Sequence, residues 1–202
     1  MPAYSLYMTE EEKILIESAQ NGDSAAFGQL YDRYAERIYR FIFLKTGQKG
    51  DSEDLLHEVF LAGWRTIGSY ELRGGIPLTS WLYRIAGNRV IDWYRTRKGN
   101  SSLDEMTENN TLPIELASTG HTALLEALDR GLAMDAVMKG IRSLNDTEQT
   151  VLLMRYVEDL SPEETALAVG KTAGAVRLIQ HRAIAKLKKK LEVPHEQFTR
   201  TS

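Results

Sequence analysis

The sequence contains no cysteine, and this absence removes several classes of site. Without thiols the chain cannot form a disulfide or bind zinc through thiolates. The four histidines, at positions 57, 121, 181 and 195, show no metal-ligand spacing. No apolar run approaches the roughly 20 residues that span a bilayer, and the N-terminus lacks a signal peptide's basic start and apolar centre. We therefore expect a cytoplasmic protein with no membrane insertion, no metal and no cofactor.

A strong overall charge is also missing, because 25 basic and 28 acidic residues leave a net charge of −3 over 202 residues. The distribution along the chain is more informative than the sum. Residues 1–98 carry 13 basic and 13 acidic side chains, residues 99–135 carry 1 and 7, and residues 136–202 carry 11 and 8. The acid is thus concentrated in the middle, and the C-terminal third is basic enough to bind nucleic acid.

The alternating pattern of β-strands is absent, and nearly every periodic segment indicates helix. Thr9 with Glu12 predicts the start of a short helix, and a long amphipathic helix follows the break at Asn21 to Asp23. Asp51 is expected to cap a third helix that ends before Gly68. A fourth helix is predicted at about 78–98, another near Ala127 to Ser143, and a further one begins at Asn145 with Glu148. The predicted fold class is all-α.

Residues 160–191 carry the pattern of a helix-turn-helix. Ser161, Pro162 and Glu164 combine a capping serine, a proline at the first helical position and a glutamate that can return the cap. Gly170 can adopt the left-handed conformation that ends a helix, and Thr172 can cap the next helix after a short turn. The spacing therefore predicts two helices joined by a tight turn.

The second of these helices is amphipathic and strongly basic. Its apolar residues recur at spacings of three and four and predict one buried stripe, formed by Val176, Ile179, Ala183, Leu187 and Leu191. Residues 171–191 hold seven Lys or Arg and no acidic residue. Such a helix suits the major groove of DNA, although a charged helix of an ordinary bundle has the same composition. The tight turn favours the DNA-binding interpretation.

The fourth predicted helix combines cations with aromatic rings. The segment contains one acidic residue, Asp92, and five basic ones, which are Arg84, Arg89, Arg95, Arg97 and Lys98. Its interleaved aromatic rings are Trp81, Tyr83 and Tyr94. Single-stranded nucleic acid binds to such surfaces because bases stack on rings, with about 1–3 kcal/mol per base, while cations neutralise phosphates. The alternative is that the rings belong to the core and the arginines are only solvated; for Trp93 we favour the core.

Taken in this order, the segments resemble the bacterial extracytoplasmic-function sigma factors from about Ile14 to Leu191. AQNGDSAAFGQLYDRYAERIYRFIF resembles the family's opening helix, and DSEDLLHEVFLAGWRTI its polymerase-binding segment. TSWLYRIAGNRVIDWYRTRK resembles its promoter-melting helix. LNDTEQTVLLMRYVEDLSPEETALAVGKTAGAVRLIQHRAIAKLKKKL resembles its upstream-promoter helix-turn-helix, including the small residues Ala166, Gly170 and Val176 at the turn.

The resemblance implies two small helical domains joined by a flexible linker. Residues 1–98 would form the region 2 domain, 99–121 an acidic linker, 122–192 the region 4 domain and 193–202 a disordered tail. It further implies a non-enzymatic subunit that binds core RNA polymerase and directs promoter-specific initiation. Its partners would be double-stranded promoter DNA, the melted non-template strand and an anti-sigma factor. The linker would keep the two DNA-binding domains apart or serve as a simple tether.

The resemblance also implies three sets of site residues, each at positions that match the family's motifs. Asp54, Leu55, His57 and Glu58 would bind the polymerase, with His57 departing from the family's commoner glutamine. The downstream element and melting would involve Tyr70, Leu72, Arg73, Trp81, Arg84, Asn88, Arg89 and Arg95. The upstream element would be bound by Lys171, Thr172, Ala173, Arg177, His181 and Arg182.

Two other functions remain open at this point. A stand-alone helix-turn-helix regulator would bind an operator without polymerase, but it normally needs a dimer to contact two half-sites, and the sequence has no heptad seam. A nucleic-acid enzyme would use Asp51, Glu53, Asp54 and Glu58, but these carboxylates lack a positioned partner or a second ligand cluster.

Overall fold

A computed structural model of the chain describes residues 8–71, 76–100 and 134–191, without the side chains of 98–100 and 134–136. Within these ranges the regular structure is helical, in agreement with the predicted all-α class. The helices are α1 (Glu10–Gln20), α2 (Ser24–Thr46), α3 (Lys49–Thr66), α4 (Leu78–Asn100), α5 (Met134–Arg142), α6 (Asp146–Leu152), α7 (Pro162–Val169) and α8 (Ala173–Leu191). The predicted linker at 99–121 and tail at 193–202 lie outside the described backbone except for residues 99 and 100, as do residues 127–133 of the predicted helix near Ala127.

Helices α1 to α4 form the first bundle, with α2 packed against α1, α3 and α4. The Thr9 hydroxyl accepts from the backbone N–H of Glu12 at 3.1 Å, which confirms the predicted helix start. Asp23 caps α2 by accepting from two backbone N–H groups, and Gly47 ends it in the left-handed conformation, with φ 71°. The bundle buries the large apolar side chains that recur along these helices, including Leu30, Ile38, Phe41, Ile42, Val59 and Leu82.

The predicted start of α3 is wrong. The helix begins at Lys49, and the preceding Gln48 makes no side-chain cap, so Asp51 lies inside the first turn. Its carboxylate lies 3.3 Å from the Arg97 guanidinium of α4 and also suits the positive end of the helix dipole. Asp51 therefore ties α3 to α4 and does not cap.

Helices α5 to α8 form the second bundle, and its local signals were predictable. Asn145 and Glu148 make a reciprocal capping box at the start of α6, and Ser161 and Glu164 make one at the start of α7. Gly170 has φ 64° at the C-cap of α7, and the Thr172 hydroxyl accepts from the N–H of Ala175 at 3.2 Å. The helix-turn-helix is confirmed in each of these features.

The connection between α6 and α7 departs from regular helix. Residues Leu153–Val157 form a π-helical turn, and Asp159 follows with φ 53°, a left-handed conformation that few residues other than glycine adopt. Aspartate tolerates this conformation better than most residues. The turn leaves Glu158 pointing away from its own bundle and into the first one.

The two bundles pack directly against each other. Helix α4 contacts α7, and α2 contacts the π-helical turn. Leu153, Met154, Leu160 and Ala168 of the second bundle belong to the same buried apolar cluster as the core of the first. The buried apolar core is therefore continuous across both bundles in this structure.

Candidate nucleic-acid interface

The upstream-element residues lie together at the turn and along the outer face of α8. Lys171, Thr172, Arg177, His181 and Arg182 are exposed, whereas Ala173 is half-buried. The stripe facing inward is the predicted one, with Val176 and Ala183 fully buried. Because the Thr172 hydroxyl is used in capping the helix, its remaining capacity to contact DNA is reduced.

Arg177 already has an anionic partner in this structure. Its Nη2 donates to the Glu163 carboxylate of α7 at 2.6 Å, and both side chains remain about half exposed, at 59% and 47%. An exposed pair of this kind contributes little to stability, so a phosphate or a guanine edge can replace the carboxylate. Sequence spacing gave no indication of this pair, because Glu163 lies on the other helix of the motif.

The downstream-element residues on α4 separate into two groups. Arg84, Asn88 and Arg95 are exposed and, at about 100° per residue, lie within roughly 40° of one another on the helix. Arg89 is half-buried and lies about 140° around the helix from Arg84. Trp81 is also half-buried, with its ring 5.3 Å from that of Tyr70.

The loop before α4 is only partly described, since Leu72 and Arg73 lie outside the described residues. Tyr70 is buried, and its hydroxyl donates to the carbonyl of Ile76 at 2.5 Å. Burial and the nearby charge of Glu12 raise the pKa of Tyr70, so it remains a neutral phenol. In this arrangement Tyr70 is packed into the bundle and, at 6% exposure, offers little surface to a base.

The interpretation of α4 as an aromatic stacking surface is wrong for two of its three rings. Tyr83 is completely buried, and Tyr94 is half-buried with its hydroxyl donating to the carbonyl of Lys45 at 2.5 Å. Trp93 is half-buried too, with the Arg97 guanidinium 4.7 Å from its ring centre. These aromatic residues fasten α4 to its neighbours, and the exposed face of α4 is mainly polar.

A buried ionic cluster joins the two bundles, and no sequence pattern indicated it. The cluster, hereafter the Glu158 cluster, consists of Glu158 with Arg37, Arg40 and Tyr83. Arg40 donates through Nε and Nη2 to the two carboxylate oxygens of Glu158, at 2.8 Å each. Tyr83 donates to the same carboxylate at 2.7 Å, and Arg37 Nη2 donates to the backbone carbonyl of Glu158 at 2.7 Å.

The electrostatics of the Glu158 cluster follow from its burial. The Glu158 side chain is 0% exposed and Arg40 only 7%. Burial alone lowers the pKa of Arg40, but the hydrogen bond and charge of Glu158 outweigh it and raise that pKa. Burial and the charge of Glu158 raise the pKa of Tyr83 well above its ordinary value, so Tyr83 remains a hydrogen-bond donor.

A second polar contact between the bundles lies nearby. The ammonium of Lys45, at the end of α2, is buried and donates to Asp146 and, at 2.7 Å, to the hydroxyl of Thr150. Burial lowers the pKa of Lys45 more than the charge of Asp146 raises it. Both charged contacts therefore place a cation of α2 against an acceptor of the second bundle.

The packing of the bundles brings two parts of the candidate DNA surface into one cleft. This cleft has a volume of about 290 Å³. Arg84 and Asn88 of α4 line one side, and Gly170 and Lys171 of the helix-turn-helix line the other. Residues expected at the downstream element and residues expected at the upstream element thus line one and the same cleft.

The residues expected to bind polymerase lie on α3. Asp54, His57 and Glu58 are exposed at helical spacing, while Leu55 is buried and supports the helix from inside. Leu61, which sequence reasoning missed, continues the outer face at 50% exposure. Its position seven residues after Asp54 was the available signal.

Within the described ranges, no group of three or more His, Asp or Glu side chains could hold a metal ion, and no helix is long and apolar enough to span a membrane.

The fold and this surface define an all-helical DNA-binding protein with a helix-turn-helix in its second bundle. Residues 30–99 match sigma-70 region 2, and residues 140–189 match sigma-70 region 4. These matches cover the α4 face and the helix-turn-helix, respectively. Both occur in the order expected from the resemblance, so the alternative of a stand-alone regulator is not supported.

Two sigma factors illustrate the similarity. The chain is 31% identical to the extracytoplasmic-function sigma factor SigD of Mycobacterium tuberculosis, over 86% of this chain and 81% of SigD. It is 35% identical to BldN of Streptomyces coelicolor over 86% of this chain, and the match spans 63% of BldN. The chain belongs to the extracytoplasmic-function family of RNA polymerase sigma factors.

The fold is also found among solved structures. The sigma factor RpoE of Bartonella quintana, solved in complex with the anti-sigma factor NepR, superposes with a TM-score of 0.62 over 83% of this chain and 97% of RpoE. The sequences of the two proteins are 19% identical. At that identity the likeness supports the helical fold alone.

Proposed function

We propose that this sigma factor binds core RNA polymerase and directs it to promoters by contacting an upstream and a downstream DNA element. The observation that carries the proposal is the presence, in one chain, of an acid-free basic helix α8 and a second exposed polar and cationic face on α4. The chain itself supplies no catalytic step, since nucleotide addition belongs to the polymerase. Because polymerase and chromosomal DNA are its partners, we place its action in the cytoplasm.

The upstream element is contacted by the N-terminal half of α8. Arg177 is long enough to make a bidentate contact with a guanine edge, which discriminates by about 1–3 kcal/mol. Three further exposed residues can contact bases or phosphates. Lys171 lies at the turn, and His181 and Arg182 lie further along the exposed face. Thr172 and Ala173 shape the helix start, which approaches the groove most closely.

The downstream element is contacted by α4 and the loop before it. Asn88 has two donors and a carbonyl acceptor with which to contact a base edge, and Arg84 and Arg95 lie beside it to neutralise phosphates. The proposed set for capturing the unpaired strand is completed by five further residues of the loop and α4, which are Tyr70, Leu72, Arg73, Trp81 and Arg89. Since Tyr70 is buried, its participation requires the loop to move away from the bundle.

The outer face of α3 provides the polymerase-binding surface in this proposal. Asp54, His57 and Glu58 offer carboxylates and a ring that can donate a hydrogen bond, and Leu61 adds an apolar contact at the same face. Leu55 contributes by fixing the helix from its buried side. An anti-sigma factor is a further proposed partner, since RpoE, which shares the fold, was solved with one.

The proposed division of the chain follows the expected boundaries. Residues 1–98 form the domain for polymerase, downstream-element binding and melting, and residues 122–192 form the upstream-element domain. Residues 99–121 link them and residues 193–202 form the tail. The linker carries much of the acid of residues 99–135, which would repel promoter DNA and keep this segment off the template.

The decisive experiment is promoter-dependent transcription by bacterial core polymerase with and without this chain. We expect initiation at defined sites on fragments of its own genome, and co-purification with core. The proposal would be refuted if the chain did not bind core and if initiation were no more specific with it than with core alone.

Two substitutions separate the roles of the domains. Arg177→Ala should reduce discrimination at the upstream element by about 1–3 kcal/mol, whereas Asn88→Ala should preserve closed-complex binding and slow promoter opening. Closed complexes can be measured by gel shift and opening by permanganate footprinting. Lys189→Ala, far along α8, is the matched control and should alter neither step. Equal damage to the same step by both substitutions would contradict the assignment.

A further inference from the structure

The Glu158 cluster is a complete binding site for a carboxylate. Arg40 forms a two-pronged contact with both oxygens, Tyr83 donates a third hydrogen bond, and Arg37 donates to the adjoining backbone carbonyl. The three donors lie on α2 and α4 of the first bundle, and the carboxylate comes from the second bundle, 118 residues beyond Arg40. The arrangement is thus a site on one domain occupied by a side chain of the other.

An irregular backbone segment of the second bundle orients the Glu158 side chain toward the first bundle. Glu158 follows the π-helical turn at Leu153–Val157 and precedes Asp159, whose φ of 53° is an uncommon conformation for a residue with a side chain. The Arg155 guanidinium donates to the carbonyl of Leu160 and braces the same turn. An irregular and partly strained connection therefore presents one glutamate to the first bundle.

The packing held by this contact is incompatible with simultaneous contact to two promoter elements. Arg84 and Asn88 line the same cleft of about 290 Å³ as Lys171, so the two candidate DNA-binding surfaces lie close together in this packing. Successive groove faces that a protein can contact from one side lie about 34 Å apart, one helical turn. The two DNA-binding surfaces must separate before each can reach its own element.

We propose that Arg37, Arg40 and Tyr83 form a carboxylate-binding site whose internal ligand, Glu158, keeps the sigma factor in a closed resting form, and that Glu158 leaves this site when the promoter-binding form is made. The inference rests on the proposed function, because it assigns the closed form to the same DNA-binding surfaces. A buried ion pair suits this role. Desolvation cancels much of its attraction, so the contact specifies one arrangement without making it irreversible.

The absence of cysteine allows a direct test on the full-length chain. Cysteines introduced at the exposed positions Ser69 of the first bundle and Lys190 of the second can be labelled with a donor and an acceptor dye. Single-molecule energy transfer then reports the distance between the bundles. We expect a dominant short-distance population in the free chain and a long-distance population on addition of core polymerase and promoter DNA.

Glu158→Gln is the informative variant, because it keeps the size of the side chain and removes its charge. We expect the ratio of open to closed molecules to rise by about tenfold or more, since hydrogen bonds to a charged group contribute enough for that factor. Holoenzyme formation should become faster. Glu10→Gln, which removes a carboxylate from the exposed pair with Lys13, is the matched control and should leave the distances unchanged.

Arg40→Gln tests the same contact from the first bundle and does not alter the second, so it remains informative if Glu158→Gln fails to fold by circular dichroism. The inference is overturned if both variants keep the parental distance distribution, or if the free parent already shows only the long distance. Specific transcription by the parent in that case would leave the proposed function intact. Conversely, a closed parent whose distances lengthen in both variants but which never binds core would refute the proposed function, and with it the release of Glu158 on promoter binding, while the closed form held by Glu158 would stand.

Discussion

Two arginine–glutamate pairs of similar length lie in very different surroundings. Arg177 and Glu163 are 2.6 Å apart on the outer surface of the helix-turn-helix, and both are about half exposed. Arg40 and Glu158 are 2.8 Å apart between the bundles, and Glu158 is completely buried. The exposed pair is accessible to other partners, and we propose that Arg177 exchanges this carboxylate for DNA, whereas the buried pair joins the two bundles. Burial, more than distance, decides what an ion pair does.

The strongest way to test this comparison is to remove the buried carboxylate. Glu158→Ala removes the carboxylate that accepts from Arg40 and Tyr83, and breaking a buried pair costs about 3–5 kcal/mol. That figure is an upper limit here, because opening the contact returns the arginines to water. We expect lower urea stability. Tryptophan fluorescence follows the first bundle through Trp64, Trp81 and Trp93, and circular dichroism follows both bundles.

In the parent, we expect the fluorescence and circular dichroism transitions in urea to coincide. In Glu158→Ala, we expect them to separate, which would show that the buried pair couples the unfolding of the two bundles. If the variant unfolds as the parent does in both signals, the buried pair is no more important than the exposed one and the comparison fails.

An intermediate effect is expected at the turn between the helices that carry the exposed pair. Gly170 has φ 64°, and a Cβ placed there would meet no atom within 4 Å. Gly170→Ala should therefore destabilise the chain by about 1–2 kcal/mol through backbone conformation alone, measured as a shift of the urea midpoint. Gly174→Ala is the control, because Gly174 lies in α8, also has open space around it, and should gain helix propensity. Equal shifts for both variants would contradict the backbone explanation.

The smallest effect on stability is expected from the exposed pair itself. Glu163→Ala should change the unfolding free energy by less than about 1 kcal/mol, since exposed ion pairs are screened and hydrated. It also removes a competitor for Arg177, so holoenzyme affinity for promoter DNA should rise, as measured by fluorescence anisotropy at low salt. Reduced affinity would mean that Glu163 orients Arg177 for binding and does not compete with DNA.

Local structure was predictable from the sequence because its causes are local. The caps at Thr9, Asn145, Ser161 and Thr172 and the left-handed Gly170 each depend on residues within three or four positions. The start of α3 was missed because Gln48 makes no side-chain cap, which left the nearby Asp51 as a more conventional candidate. The helices themselves required only periodicity and these signals.

The contact between the bundles was not predictable in this way. Arg37, Arg40 and Glu158 look like ordinary surface residues in the sequence, and more than one hundred positions separate the glutamate from the two arginines. The place of Tyr83 stayed open for the same reason, because aromatic rings among arginines have the same pattern whether they face solvent or a core. The candidate DNA surface on α8 needed only helical geometry, whereas the arrangement of α4 depended on tertiary packing.

The apolar surface shared by the two bundles has a thermodynamic consequence. Leu153, Met154, Leu160 and Ala168 lose contact with water by joining the core of the first bundle, so separating the bundles increases the heat capacity. Apolar burial weakens on cooling, whereas attraction between the exposed charges of Arg177 and Glu163 responds mainly to salt. Temperature therefore acts on the association of the two bundles, and ionic strength acts on the proposed DNA-binding surface of the helix-turn-helix.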